Sequence, residues 1–235
     1  MNNNRALEFR LSYVSNKSVL IKSTGLICFI IIFFNCCLRA QSPSSIEWQK
    51  CLGGSGYEIA KSVQQTSDGG FIVAGYTEST DGDISGNHGG SDYWVVKLDS
   101  HGVMEWQKCL GGSYYEFAHS VQQTTDKGFI VAGYSSSNDG DVSGNHGDYD
   151  YWIVKLDSTG TMEWQKCLGG SKYDAAHSIQ QTSDGGFIVA GETGSTIGDV
   201  SGNHGSGDYW VVKLDGSGNI EWQKCLGGND YDVAQ

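Results

Sequence analysis

The sequence predicts an all-β chain built from repeated four-stranded antiparallel sheets. Three observations carry that prediction. The stretch 60–75 (AKSVQQTSDGGFIVAG) returns at 118–133 and at 176–191, each time 58 residues on. Trp48, Trp106, Trp164 and Trp222 keep the same spacing, as do Trp94, Trp152 and Trp210, and a fixed period of this size marks a repeat architecture. Between the repeated tryptophans lie short β-branched and aromatic runs bounded by glycine-rich turns, with no helical stripe of apolar residues.

Residues 1–40 stand apart from the repeats. Arg5, Arg10, Lys17 and Lys22 precede an apolar run at 26–34, and Ala40 precedes a polar start. This is the pattern of a secretory signal peptide cleaved after Ala40, which predicts a secreted protein, extracellular or on the outer cell surface. The run falls short of the ~20 apolar residues a spanning helix needs, so no transmembrane segment is expected in the mature chain. A membrane anchor, or a lipid on Cys36 or Cys37, is the alternative. Residues 41–45, with the single proline Pro43, read as a linker.

Removal of the leader leaves ten lysines and no arginine against 26 acidic residues, a net charge of −16. Nucleic-acid binders neutralise phosphates with Lys and Arg, so that partner class is excluded, and an anionic membrane surface is disfavoured likewise. Cys51, Cys109, Cys167 and Cys225 occupy one position of successive repeats. Equivalent positions are separated by the inter-repeat distance, whereas a disulfide needs Cα atoms within ~7 Å. Four unpaired, partly buried thiols are expected.

Each repeat divides into four strands. The runs 71–77 and 93–99 are apolar on both faces, as for strands covered on both sides. Strand 59–66 alternates more weakly, and 103–109 is polar and alternating, suited to a half-exposed edge. Ser67-Asp68-Gly69-Gly70 and Asp99-Ser100-His101-Gly102 are tight hairpin signals, so 59–66 pairs with 71–77 and 93–99 with 103–109. The glycine-rich stretch 53–58 is too long for a tight turn and reads as a crossover between sheets.

Four-stranded sheets repeated along a chain suggest a β-propeller, with blades at 59–109, 117–167 and 175–225 and partial repeats at 46–52 and 227–235. Residues 98–106 (LDSHGVMEW) resemble the outer hairpin of quinoprotein-type propeller repeats. Leu52-Gly53-Gly54-Ser55, the run 68–75 and Tyr76-Thr77 resemble the bacterial β-propeller repeat family of large secreted proteins. The resemblance spans 46–235 and implies architecture; it brings no catalytic residue with it. Residues 46–51 read as an outer strand with no blade of its own, and the chain enters a further repeat at 227–235. Closed propellers take ~4–8 blades, so an open or truncated propeller is expected.

In such a topology the long loops 78–92, 136–150 and 194–208 share a face with the crossovers, and long loops on a rigid scaffold are where binding resides. Asp81, Asp83, Ser85 and Asp92 place oxygens at alternate positions and at the twelfth, with Gly86 at the sixth; Asp139, Asp141, Ser143 and Asp150 repeat the pattern. Alternate short acids can wrap a hard cation, so these eight residues are candidate calcium ligands. Against that, the twelfth residue is Asp rather than Glu, Ile197 replaces the first acid in the third loop, and Asp, Asn, Ser and Gly are ordinary turn formers. His88, His146 and His204 recur as Asn-His-Gly and read as solvated or capping side chains. His119 and His177 stand where the first repeat has Lys61, and that variation argues against a catalytic role.

The stretch 66–71 is similar to the Asp-box turn of sialidase propellers, but those enzymes hold acidic substrates with arginines, which the mature chain lacks. The repeated tryptophans read as packing between sheets. The expected function is a non-enzymatic secreted or cell-surface scaffold or binding module, taking a protein or glycan ligand on the long-loop face, with no catalytic residue and no cofactor beyond calcium. The alternatives are a carbohydrate-binding propeller and the non-catalytic fragment of a larger secreted hydrolase.

Overall fold

A computed structural model of the chain describes residues 46–232. The predicted leader and linker, and residues 233–235, lie outside the described residues. The first sheet comprises β1 (Glu58–Gln65), β2 (Phe71–Thr77), β3 (Asp92–Leu98) and β4 (Met104–Leu110). The second holds β5 (Glu116–Gln123), β6 (Phe129–Ser135), β7 (Asp150–Leu156) and β8 (Met162–Leu168). The third holds β9 (Asp174–Gln181), β10 (Phe187–Thr193), β11 (Asp208–Leu214) and β12 (Ile220–Leu226). Strands follow one another in each sheet in chain order, and every pairing is antiparallel. The described residues are therefore all-β, with three four-stranded sheets and the hairpins where the turn signals place them.

The turns show why. In the β1–β2 turn Thr66 N–H donates to Gly70 O (2.9 Å), and the Asp68 carboxylate accepts from Gly70 N–H (2.9 Å). Gly69 sits at φ 87°, where a side chain would strain the backbone. The second repeat has Lys127 at that position, at φ 69°.

The middle-sheet strands β6 and β7 are buried on both faces, as the composition of each repeat predicts; in the first sheet Phe71, Val73 and Trp94 on the outer face are only half-buried. One face of the first sheet (Ile72, Ala74, Tyr93, Val95) packs on the opposite face of the second (Phe129, Val131, Trp152, Val154, Leu156). The second and third sheets repeat this contact through Tyr151, Ile153, Val189, Trp210 and Val212. Tyr93 OH donates to Trp152 O (2.9 Å) and Tyr151 OH to Trp210 O (2.9 Å). First strands also meet: Gln64 Oε1 accepts from Gln123 N–H, and Gln122 Oε1 from Gln181 N–H, both 2.6 Å. The repeated outer tryptophans do bridge sheets, Trp106 onto Phe129 (5.6 Å) and Trp164 onto Phe187 (5.8 Å).

Two features depart from the sequence reading. Residues 46–51 form no strand; no neighbouring strand among the described residues offers them a ladder, and Trp48 instead lies edge-on to Phe71 (5.7 Å). A β-bulge, invisible in the sequence, interrupts each first strand. Register passes from Ala60 to Ser62, from Ala118 to Ser120 and from Ala176 to Ser178, so Lys61, His119 and His177 are the extra residues. The four cysteines are unpaired, Cys51 exposed and Cys109, Cys167 and Cys225 buried. Burial raises the Cys109 thiol to about 12 and the Cys225 thiol to about 11, which makes both poor nucleophiles.

Candidate functional site

The long loops and the crossovers do share one face. Gly90 N–H donates to Tyr114 O and Glu116 N–H to Ser91 O, and isolated bridges join Ser91 to Tyr115, Tyr149 to Tyr173 and Gly207 to Tyr231. Each loop turns twice through left-handed glycines (Gly82 and Gly86 in the first) and plugs one apolar side chain inward: Ile84, Val142 or Val200.

The candidate calcium ligands are directed to separate partners. Asp81 accepts from Ser55 N–H (2.8 Å) and Asp83 from Gly53 N–H (3.1 Å). Ser85 Oγ accepts from Gln107 Nε2 (2.7 Å), and Asp92 Oδ2 accepts from His88 N–H (3.0 Å). In the second loop Asp139 takes both Ser113 N–H (2.8 Å) and Ser113 Oγ–H (2.6 Å). Asp141 takes Gly111 N–H (3.3 Å), Ser143 takes Gln165, and Asp150 takes His146 N–H (2.9 Å). The Ser113 bonds hold the Asp139 carboxyl below its ordinary value. Among the described residues, no group of three or more His, Cys, Asp or Glu side chains is arranged to hold a metal ion. What the loops visibly do is brace the incoming Gly-Gly-Ser crossover. We therefore expect Asp139→Ala to lower the melting temperature both in millimolar calcium and in chelator. A fall seen only with calcium present would instead establish a cation in the loop.

The loop histidines cap the following strand. His88, His146 and His204 place Nδ1 at 2.7, 2.6 and 2.6 Å from Asp92, Asp150 and Asp208. The other oxygen of each aspartate is buried without a partner. It faces a second carboxylate across a glycine: Asp92 Oδ1 and Glu116 Oε2 both lie within 2.8 Å of the point a Cβ on Gly111 would occupy. Asp150 and Asp174 face each other in the same way across Gly169. Burial raises all four carboxyls, Asp150 to about 6. Only the small glycine lets the two strands bring these acids together.

The crossovers carry a row of tyrosines, of which Tyr57, Tyr115 and Tyr231 are exposed and Tyr173 half-buried. A depression of 290 Å³ opens between Tyr173 and Tyr231, lined also by Asp148, Lys172, Glu192 and Ser206. Sequence reading missed this tyrosine row, although its period of 58 was present in Tyr57, Tyr115, Tyr173 and Tyr231. It also missed the buried lysines. Lys97, on β3, reaches Asp68 (3.0 Å) and Glu105 (2.8 Å), and Lys155 and Lys213 repeat the arrangement. A lysine inside an apolar strand was the available signal, since buried cations need partners.

Comparison with known proteins adds little beyond this. No protein-family model matches the chain. The regulatory protein FlaEY of Caulobacter vibrioides is 27% identical over 181 residues, covering 72% of this chain and 19% of that protein. The chain thus spans about a fifth of that relative's length. A crystal structure of a protein of unknown function from Bacteroides caccae aligns with 76% of this chain and 85% of its own at 12% identity, with a TM-score of 0.24.

Proposed function

We propose that this chain is a non-enzymatic binding module of a secreted or cell-surface β-propeller repeat protein, with its ligand on the loop-and-crossover face. The three sheets would be successive blades. Face-to-face packing and the hydrogen bonds that join the three first strands support that arrangement. The observation that carries the binding role is the tyrosine row. The frame beneath it repeats almost residue for residue, while Tyr57, Tyr115 and Tyr231 expose their rings at the crossovers, Tyr115 stacked on Phe117 (6.3 Å) and Tyr231 held by Glu192 (2.6 Å). Aromatic faces with polar handles are favoured recognition groups, and loops on such a frame can vary without disturbing it. Export through the predicted leader fits the arginine-free, acidic composition of the sequence that follows it, and a calcium ion on the long loops would be compatible with that setting.

A glycan ligand is the second reading, favoured by the depression between Tyr173 and Tyr231 with its carboxylate, ammonium and hydroxyl lining. We expect the full chain to bind selected glycans on an array and the Tyr173→Ala/Tyr231→Ala chain to lose them while keeping its β spectrum. An array blank for the unchanged chain would remove the glycan reading and leave a protein ligand.

A further inference from the structure

The bulge residues of the second and third sheets, His119 and His177, meet where the two first strands lie side by side. A β-bulge re-aims a side chain, and at the second and third repeats that side chain is an imidazole. His119 Nδ1 and His177 Nδ1 lie 3.5 Å apart, with ring centroids 5.1 Å apart and planes crossed at 68°. The second nitrogen of His177, Nε2, lies 3.5 Å from Glu192 Oε1. Glu192 is buried and its other oxygen accepts from Tyr231 OH (2.6 Å). The third repeat alone has an acid here; Tyr76 and Tyr134 occupy the position in the others. The histidines and the glutamate are thus departures from the repeat, and they meet.

We propose that His119 and His177 form a two-histidine site for a late first-row divalent cation, Zn²⁺ or Cu²⁺, with Glu192 orienting His177 and solvent completing the coordination. A separation of 3.5 Å is long for a hydrogen bond between two ring nitrogens. It suits a shared ion: two Zn–N bonds of ~2.0–2.1 Å at the tetrahedral angle end about 3.3–3.4 Å apart. Imidazole is a fitting ligand for zinc and copper. A metal-bound histidine characteristically gives its other ring N–H to a carboxylate, which fixes the tautomer. The Glu192 carboxylate stands on the Nε2 side of His177 at 3.5 Å, an ion-pair separation, which favours the proton on Nε2 and leaves the Nδ1 lone pair toward His119. The Tyr134 ring packs against His119 (5.3 Å) and limits its rotation.

The test uses the full chain, Zn²⁺ titration by calorimetry, and the Cu²⁺ electron paramagnetic resonance spectrum. One equivalent of Zn²⁺ should bind at pH 7.5, and bound Cu²⁺ should show hyperfine coupling to two nitrogens. His119→Lys and His177→Lys install the residue that the first repeat already carries at this bulge, so the fold should tolerate them. Each should abolish the binding. Glu192→Gln should weaken it by ~10–100-fold, the usual cost of losing an orienting partner. His146→Ala, which alters only the loop face, should leave it unchanged. Absence of Zn²⁺ binding in the unchanged chain, or binding retained in both His119→Lys and His177→Lys, would overturn the site. Binding lost in His146→Ala would move it to the loops.

Discussion

A Gly133→Ala chain should lose more stability than a Gly144→Ala chain. Gly133 faces the bulge of the middle sheet on β6, paired with Ala118. A Cβ there would stand 1.9 Å from Phe117 O and 2.7 Å from Tyr93 OH. The first obstacle is backbone, fixed by the β5–β6 ladder, and cannot swing aside as a long side chain could. The same clash recurs at Gly75 (1.8 Å, Ile59 O) and Gly191 (2.0 Å, Ala175 O), so the glycine is part of the bulge itself. Overpacking of a tight interior typically costs ~1–3 kcal/mol and more where nothing yields; about 3 kcal/mol or more is expected. In a domain of this size that lowers the melting temperature by ~6–12 °C. Gly144→Ala is the control. Gly144 has φ 88° and open space around its Cβ position, so it should lose only the ~1–2 kcal/mol of left-handed strain. Urea denaturation followed by circular dichroism separates the two, and equal losses would mean that the bulge relaxes.

That contrast also marks what the sequence could and could not disclose. The period, the hairpins and the twofold burial of β6 and β7 were legible because each is written locally, in spacing, turn residues and composition. The bulge was not, because an extra residue in a strand leaves the apolar alternation only slightly disturbed. The loop acids were legible as a pattern of alternate oxygens around Gly86. Their amide partners were not, since Gly53 and Ser55 come within reach of Asp83 and Asp81 only through the folded crossover. Residues 46–51 carry the composition of β4 but not its neighbour, and composition without a ladder partner gives no strand. The meeting of His119 with His177 required both the bulge and the stacking of sheets, neither of which sequence separation encodes.

Trp152 and Trp94 hold the same place in consecutive repeats, yet truncating them should have very different costs. Trp152 is fully buried. Its ring lies 4.5 Å from that of Tyr93, and its Nε1–H donates to Gln165 (2.9 Å). Trp152→Ala would open a cavity between two sheets and strand the Gln165 acceptor, and Trp→Ala in such a core costs ~3–5 kcal/mol. Trp94 keeps the equivalent bond to Gln107 (3.0 Å) but is only half-buried. It faces an open apolar cleft of 460 Å³ with Trp48, Val73, Val96 and Leu98. No sheet among the described residues plays for it the part that the first sheet plays for Trp152. Water already reaches the Trp94 ring, so its removal forfeits less burial and leaves no sealed void. About 1–2 kcal/mol is expected from the apolar area concerned. Chemical denaturation of both variants measures the difference directly. A small loss at Trp94 beside a large one at Trp152 would show that sheet-to-sheet contact, not the isolated sheet, supplies the stability. Equal large losses would show that the first sheet's outer face is covered in solution by an apolar surface equivalent to the one Tyr93 and Val95 present to the second.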